Sequence, residues 1–218
     1  MAQIFSPAAD TYLRLALITA ALTVSGIFLV LGGWVRSDYL TRETFAPAQP
    51  VPFSHRHHAG QLGIDCRYCH DSVEIAATAG YPPSHTCMTC HSQLWTNADV
   101  LAPVRASLAT ATPLRWNQVY DLPDYVYFNH GIHIQKGVPC EHCHGQVPEM
   151  VRIYRAVTLE MSWCLECHRH PERYLRPPDQ VFDFHWQPPA DQEERGRRLV
   201  AHAGIEPARL DNCYTCHR

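Results

Sequence analysis

The sequence has no excess of basic residues and little charge of either sign. It contains 18 lysine and arginine residues against 21 aspartate and glutamate residues, a formal net charge of −3. Without a basic surplus the chain lacks the electrostatic footprint that tracks a phosphate backbone, so nucleic acid is not expected as a partner. Charged residues make up only 18% of the chain, which differs from the composition of a self-repelling, disordered polymer.

No cysteine stands alone in the chain. All ten cysteines form C-x-x-C pairs, and a histidine directly follows every pair. The five resulting C-x-x-C-H motifs are numbered here in chain order: Cys66, Cys69 and His70 (first); Cys87, Cys90 and His91 (second); Cys140, Cys143 and His144 (third); Cys164, Cys167 and His168 (fourth); Cys213, Cys216 and His217 (fifth).

The spacing within these motifs has a chemical reason. Two thiols three positions apart on a helical turn share one face, so they reach two neighbouring vinyl groups of one porphyrin and form thioethers. The histidine that follows offers its imidazole as an axial ligand to the iron. C-x-x-C-H is therefore a c-type haem attachment site. We predict five covalently attached haem c groups, held by the ten cysteines and ligated by the five motif histidines.

Two other uses of C-x-x-C pairs explain the pattern less well. A zinc ribbon has two pairs separated by about 15–20 residues, and the 17 residues between Cys69 and Cys87 fit that spacing. However, five pairs do not divide into four-cysteine sites, and zinc gives no reason for five adjacent histidines. Disulfides and thioredoxin-like redox pairs leave the same histidines unexplained.

The N-terminal part of the chain contains one long apolar run. No charge occurs in the 20 residues from Leu15 to Trp34, which as a helix would span about 30 Å, the thickness of a bilayer core. The apolar core of a cleaved signal peptide is usually about 7–15 residues, so we expect an uncleaved anchor in the lipid bilayer. Because c-type haem is attached outside the cytoplasm, we expect a cytoplasmic N-terminus and a periplasmic or exterior haem domain.

An internal duplication organises the rest of the chain. The pattern F-x-H-x-x-H begins at Phe53 ahead of the first motif and again at Phe128 ahead of the third, and each unit continues to one further motif. We therefore predict two dihaem modules. The predicted divisions are a cytoplasmic N-terminus (1–11), a transmembrane anchor (12–35), a tether (36–52), dihaem module 1 (53–91), a connector (92–127), dihaem module 2 (128–168) and a C-terminal segment with the fifth haem (169–218).

The predicted fold class is a multihaem cytochrome c with one N-terminal transmembrane helix and a loop-rich, mostly α exterior domain. Regular structure should be sparse because 17 prolines interrupt the chain. Helices are predicted from Pro148 to His168 and over residues 191–201. So small a domain has little apolar core of its own, and we expect the porphyrins to supply much of it.

Histidines outside the motifs supply candidates for the other axial position of each iron. His55 and His58, and likewise His130 and His133, are three residues apart, so one helical turn can direct both towards neighbouring haems. We expect the first of each pair to serve the next haem of its own module.

The fifth distal ligand stays open. We prefer Met150, which would raise the potential of its haem. The competing candidates are Met161, His85, His170, His185 and His202. Since ten histidines lie outside the motifs, every iron can be six-coordinate, which predicts an electron carrier rather than an enzyme with a substrate site.

Three segments resemble a known family. They are WNQVYDLPDYVYFNHGIH from Trp116 to His133, KGVPCEHCHGQV from Lys136, and LEMSWCLECHR from Leu159 to Arg169. With the N-terminal run and five motifs, the chain resembles the pentahaem cytochrome c subunit of alternative complex III. Its F-x-H-x-x-H units are also similar to modules of the small class III multihaem cytochromes.

This resemblance implies an electron-transfer subunit of a membrane quinol-oxidising complex in a respiratory or photosynthetic chain. The implied partners are membrane-embedded quinol-oxidising subunits and an iron–sulfur subunit resembling molybdopterin enzymes. Electrons would leave to a monohaem cytochrome c, a copper protein or an oxidase. The alternative is a stand-alone membrane-anchored quinol dehydrogenase that feeds periplasmic reductases. Such proteins usually carry C-x-x-C-H-x-M soon after the helix, whereas Ser72 occupies that methionine position here.

Overall fold

A computed structural model describes residues 4–217 of the chain. Residues 1–3 of the predicted N-terminal segment (1–11) and residue 218 of the predicted C-terminal segment (169–218) lie outside the described residues. The chain forms two compact units, Met1–Glu43 and Thr44–Arg218.

The first unit is dominated by α1, Ala8–Val35. By length and composition this helix is apolar enough to cross a membrane, and it contains the whole predicted apolar run. Near its start Asp10 pairs with Arg14 at 2.9 Å. A short helix, α2 (Asp38–Thr41), follows it. A signal sequence would meet the same criteria of length and composition, so the anchor stays a prediction.

The second unit consists of short helices joined by irregular segments, as the proline content predicts. Its α-helices are α3 (Cys66–Cys69), α4 (Ser84–His91), α5 (Ala102–Thr110), α6 (His130–Gln135), α7 (Cys140–His144), α8 (Met161–Arg169), α9 (Gln192–His202), α10 (Pro207–Leu210) and α11 (Cys213–Cys216). A π-helix covers Arg56–Gln61, and single 3₁₀ turns cover Asp99–Leu101, Val147–Glu149, Pro171–Arg173 and Pro178–Gln180. Within residues 44–217 the only β-pairing is an isolated bridge between Val126 and His217.

Every C-x-x-C-H motif begins on or within one of these short helices. Asp65 caps α3 by accepting a hydrogen bond from the backbone N–H of Arg67 at 2.8 Å, and Asn212 caps α11 in the same way from Tyr214 at 3.0 Å. Pro139 stands immediately before α7. Each pair of cysteines therefore lies on one helical turn, as thioether attachment to a single porphyrin requires.

The helix predicted from Pro148 to His168 is wrong over most of its length, since only Met161–Arg169 forms an α-helix. The preceding backbone groups are used elsewhere: the carbonyl of Met150 accepts from Arg56 N–H at 2.9 Å, and that of Arg155 accepts from Thr44 N–H at 2.7 Å. Leu159 has a left-handed φ of 55°, which ends any helical run before α8. The helix predicted over residues 191–201 is present as α9.

The two predicted dihaem modules contact each other through two equivalent pairs of segments. In one direction α6 lies on the segment after the first motif: the N–H groups of His130 and Gly131 donate to the carbonyls of Ala77 and Ala76 at 3.1 and 3.0 Å. An added Cβ at Gly131 would lie 3.0 Å from the backbone carbon of Ile75. Only glycine therefore permits this close approach of the two backbones.

The opposite contact uses the matching segments of the other module. The π-helix Arg56–Gln61 lies on the turn Val147–Glu149 after the third motif. An added Cβ at Gly60 would overlap the carbonyl oxygen of Pro148. Each module thus places the segment that carries its F-x-H-x-x-H histidines against the chain that follows the other module's first attachment site.

Replacing Gly131 with alanine should loosen this contact. The added methyl group has no space beside the Ile75 backbone, and overpacking of this kind costs about 1–3 kcal/mol. We expect Gly131→Ala and Gly60→Ala each to lower the midpoint of thermal unfolding, followed by circular dichroism. Ile132→Ala on the exposed side of α6 is the matched control. Equal midpoints for Gly131→Ala and the control would contradict the close approach.

Candidate functional site

The most buried motif thiols lack the features of a redox pair. All are free cysteines. Burial raises the pKa of Cys140 and of Cys143 to about 12 and that of Cys167 to about 11. Reactive C-x-x-C pairs instead have a lowered pKa, because the thiolate is the nucleophile. The thiols therefore fit attachment sites better than redox chemistry.

A zinc site also fails to form in the described part of the chain. Across residues 4–217, no three histidine, cysteine or acidic side chains come together as ligands of one metal ion. The zinc ribbon that the spacing from Cys69 to Cys87 allows is therefore not assembled. A site in which two opposed imidazoles ligate one iron needs no such cluster.

Three motif histidines face three of the predicted distal histidines. The ring centres of His58 and His91 lie 6.2 Å apart. Those of His130 and His144 lie 6.3 Å apart with nearly parallel rings at 14°. The rings of His133 and His168 are also 6.3 Å apart, at 23°.

These separations match a metal ion between two imidazoles. A metal–imidazole nitrogen bond is about 2.0–2.1 Å, and the centre of a five-membered ring lies about 1.1 Å behind its nitrogen, so two opposed ligands of one metal have centres about 6.3 Å apart. Neither a stacked aromatic contact nor a hydrogen-bonded pair of imidazoles requires that spacing three times. The facing histidines therefore fit axial ligation of an iron that lies between them.

Backbone carbonyls accept hydrogen bonds from the Nδ1 atoms of most of these rings, which leaves each Nε2 for metal. In the first motif His70 donates to Gly80 at 2.9 Å. The other donor and acceptor pairs are His58 to Ser54 (2.9 Å), His91 to Leu94 (3.2 Å), His130 to Ala77 (3.0 Å), His133 to Asn129 (2.7 Å), His168 to Leu210 (3.1 Å) and His217 to Tyr125 (3.2 Å). A hydrogen bond from Nδ1 to a carbonyl is typical of metal-ligating histidine, because it fixes both tautomer and ring orientation.

His55 belongs to a cluster of imidazoles from both modules. Burial, together with the neighbouring His70, lowers its pKa to about 4. Burial also lowers the pKa of His144 to about 4, with further effects from His130, His70 and His55. The Nδ1 atom of His55 is buried without a hydrogen-bond partner. Neutral imidazole is the form that binds metal, so His55 is suited to the distal position opposite His70.

Two phenylalanines orient the four predicted distal histidines in the same way. Phe53 packs edge-on against His55 at 4.9 Å and stacks on His58 at 4.3 Å. Phe128 repeats both contacts, edge-on against His130 at 4.7 Å and stacked on His133 at 4.5 Å. The duplicated F-x-H-x-x-H pattern thus has a physical basis, since one aromatic ring sets two ligand orientations.

Sequence reasoning missed several residues that hold the site. The ring of Tyr120 packs against His144 at 4.4 Å, and its hydroxyl accepts from the N–H of Ala156 at 2.9 Å. His142, inside the third motif, stacks on Trp163 at 4.9 Å. The F-x-H-x-x-H repeat singles out Phe53 and Phe128. No repeat or spacing singles out Tyr120 and Trp163, because their partners are distant in sequence.

The fifth motif and Met150 lie in different surroundings. His217 lies against the ring of Tyr125 at 5.7 Å, whereas Met150 is buried, with 4% exposure, beside Gly145 after the third motif. Met150 as a distal ligand stays a prediction. Of its competitors, His85, His185, His202 and Met161 are exposed, and His170 lies 3.6 Å from Glu172.

The small apolar core also fits porphyrin binding. Apart from proline, only seven apolar side chains are buried among the described residues: Val51, Val73, Leu101, Val104, Met150, Leu175 and Val181. That core is small for a unit of this length, and the apolar faces of bound porphyrins would enlarge it. The donor set, the ring spacing and the small core therefore all fit covalent haem.

Comparison with known proteins supports the broad part of this interpretation. Residues 126–218 match the family model described as cytochrome c7 and related cytochrome c. Over 119 residues the chain is 30% identical to the menaquinone reductase multiheme cytochrome c subunit of Nitratidesulfovibrio vulgaris, an alignment that covers 54% of each chain. The chain thus matches about half the length of this curated relative.

These similarities confirm the resemblance to multihaem cytochromes c. The family match contains the third, fourth and fifth motifs together with α6. Assignment to alternative complex III is more specific than the matches, and it stays a prediction, as do the individual ligands and the number of haems.

Phe128 offers a test of the ligand geometry. We expect Phe128→Leu to broaden and shift the low-spin electron paramagnetic resonance signals of two haems, because its ring holds both His130 and His133. The exposed Phe45 provides the matched control, and Phe45→Leu should leave every signal unchanged. A Phe128→Leu spectrum identical to that of the control would mean that the ring does not set ligand orientation.

Proposed function

We propose that this chain is an electron-transfer protein with five covalent haem c groups, one on each C-x-x-C-H motif. The observation that carries the proposal is the spacing of 6.2–6.3 Å between facing histidine rings at three of the motifs. Bound haem supplies reversible one-electron oxidation and reduction. The proposed thioether residues are the ten motif cysteines, and the proposed axial ligands are the five motif histidines with His55, His58, His130, His133 and Met150.

The chain's own groups favour electron transfer over substrate chemistry. Carbonyl acceptors at Nδ1 fix the ligand rings, and Phe53 and Phe128 hold two rings each, so little reorganisation accompanies a change of charge. Burial keeps His55 and His144 neutral and ready to ligate. With both axial positions of an iron occupied by side chains, no position remains for a substrate. We therefore propose a carrier subunit rather than a catalytic one.

The proposed setting is a membrane complex that oxidises quinol, as in alternative complex III. In this proposal α1 anchors the chain with its N-terminus in the cytoplasm and its haems in the periplasm. Membrane-embedded subunits would oxidise the quinol, and an iron–sulfur subunit resembling molybdopterin enzymes would pass the electrons on. A periplasmic cytochrome c, a copper protein or an oxidase would receive them.

A second candidate reverses the direction of electron flow. The curated relative is named as a subunit of a menaquinone reductase, which favours a chain that delivers electrons towards quinone. The ligand geometry serves either direction, because a carrier accepts and donates the same electron. The partners and their potentials decide between the two directions.

Intact-mass spectrometry tests the cofactor proposal. Protein matured in its native host should be heavier than the polypeptide by five haem groups. The double variant Cys213→Ser/Cys216→Ser should be lighter than the native protein by one haem, because only the fifth motif is removed. Five haems in the native protein and four in the variant are the expected masses; an unmodified polypeptide would refute the proposal.

A quinol assay tests the setting and direction. In the proposed quinol-oxidising complex, a menaquinol analogue should reduce the haems of the purified membrane complex within its turnover time. The isolated chain should not be reduced, because the proposed quinol site lies in other subunits. Oxidation of pre-reduced haems by menaquinone in the complex, without reduction by menaquinol, would favour the second candidate. Rapid reduction of the isolated chain would contradict both.

A further inference from the structure

The first and second motifs touch through their intervening residues. Tyr68 lies between the cysteines of the first motif and Thr89 between those of the second, and their hydroxyl oxygens are 2.7 Å apart. These two attachment sites are therefore direct neighbours.

The first motif also adjoins the third, although Cys140 is 74 positions after Cys66 in the chain. His130, the predicted distal ligand opposite His144, donates through Nδ1 to Ala77 O, just after the first motif. One segment touches both motifs: Cys140 N–H donates to Val181 O at 3.4 Å, and the guanidinium of Arg67 lies 4.5 Å from the ring centre of Phe182. The first and third motifs thus lie at the junction of the two modules.

The third motif contacts the fourth. His142, between the cysteines of the third motif, stacks on Trp163, which directly precedes Cys164. This pair of motifs repeats within module 2 the neighbourhood that the first and second motifs form within module 1.

The fourth motif in turn contacts the fifth. The Nδ1 of His168 donates to Leu210 O at 3.1 Å, and Arg169 pairs with Asp211 at 3.4 Å. Both acceptors lie just before Cys213.

We infer that the five attachment sites form one line in the order second, first, third, fourth, fifth. This inference rests on the proposed function, because it concerns the path of electrons between the bound haems. The first site is internal to the line even though it comes first in the sequence. An electron taken from a reduced partner protein at one end is given to an oxidised partner protein at the other, so the chain returns to its starting state.

The ends of this line are the sites most open to partners. Cys90 of the second motif and Cys213 of the fifth are the two exposed motif cysteines. Trp95 after the second motif and Tyr214 within the fifth are 66% and 81% exposed. Electron exchange with other proteins is therefore assigned to these two ends.

Ligand exchange tests the order by marking one haem at a time. Methionine raises haem potential, so in His58→Met the haem of the second motif should be reduced at a higher potential than in the unaltered protein. Its added electron should shift the electron paramagnetic resonance signal of one other haem, that of the first motif. The matched variant His133→Met marks the haem of the fourth motif, which has two neighbours, and should shift two signals.

The outcomes separate this inference from the proposed function. One shifted signal for His58→Met and two for His133→Met support the order, whereas two for His58→Met or one for His133→Met would overturn it. If neither variant raises the potential of any haem, the ligand assignment fails instead. Nuclear cross-relaxation between haem substituents gives a second measurement in the unaltered full-length protein. It should join the second site only to the first, and contact between the second and fourth sites would also overturn the order.

Discussion

Opposed imidazoles held at a fixed separation are the constraint on which the rest of this structure depends. A ligand ring must point its Nε2 at one place, and a hydrogen bond from Nδ1 to a backbone carbonyl fixes that direction. Since the carbonyls belong to segments such as Ala77 and Leu210, far from His130 and His168 in sequence, the positions of these imidazoles also fix the packing of distant segments. Imidazole orientation and tertiary structure are thus parts of one arrangement, built with few buried apolar side chains.

Sequence spacing could predict the groups that carry the chemistry because those groups are local. Two thiols and an imidazole within five residues share one short helix, and histidines three apart share one turn. The broad protein class that followed from these motifs is supported by the similarity to multihaem cytochromes c. The pairing of His58 with His91 and of His133 with His168 is less local, yet the internal duplication already indicated that the two modules repeat each other.

The backbone conformation after Pro148 and the contact between the two modules could not be predicted, because both depend on contacts between residues distant in sequence. The residues after Pro148 have a helix-compatible composition. However, the carbonyls of Met150 and Arg155 accept hydrogen bonds from the N–H groups of Arg56 and Thr44. Tertiary hydrogen bonds override local propensity there. Gly60 and Gly131 likewise look unremarkable in sequence, and their role follows only from the backbones of Pro148 and Ile75 that approach them.

The reciprocal contact between the two modules accounts for the difference between the order of the attachment sites in the chain and their inferred order in space. When two copies of a dihaem module hold each other through the segments after their first attachment sites, those two sites lie together at the junction. The second site of each copy is then left at an outer position, and this arrangement alone would have two equivalent ends. The fifth motif removes that equivalence, because Asp211 and Leu210 attach it to the fourth motif and so extend one end only. Two different ends would allow different partners to bind them, and the potentials of those partners would set the direction of electron flow.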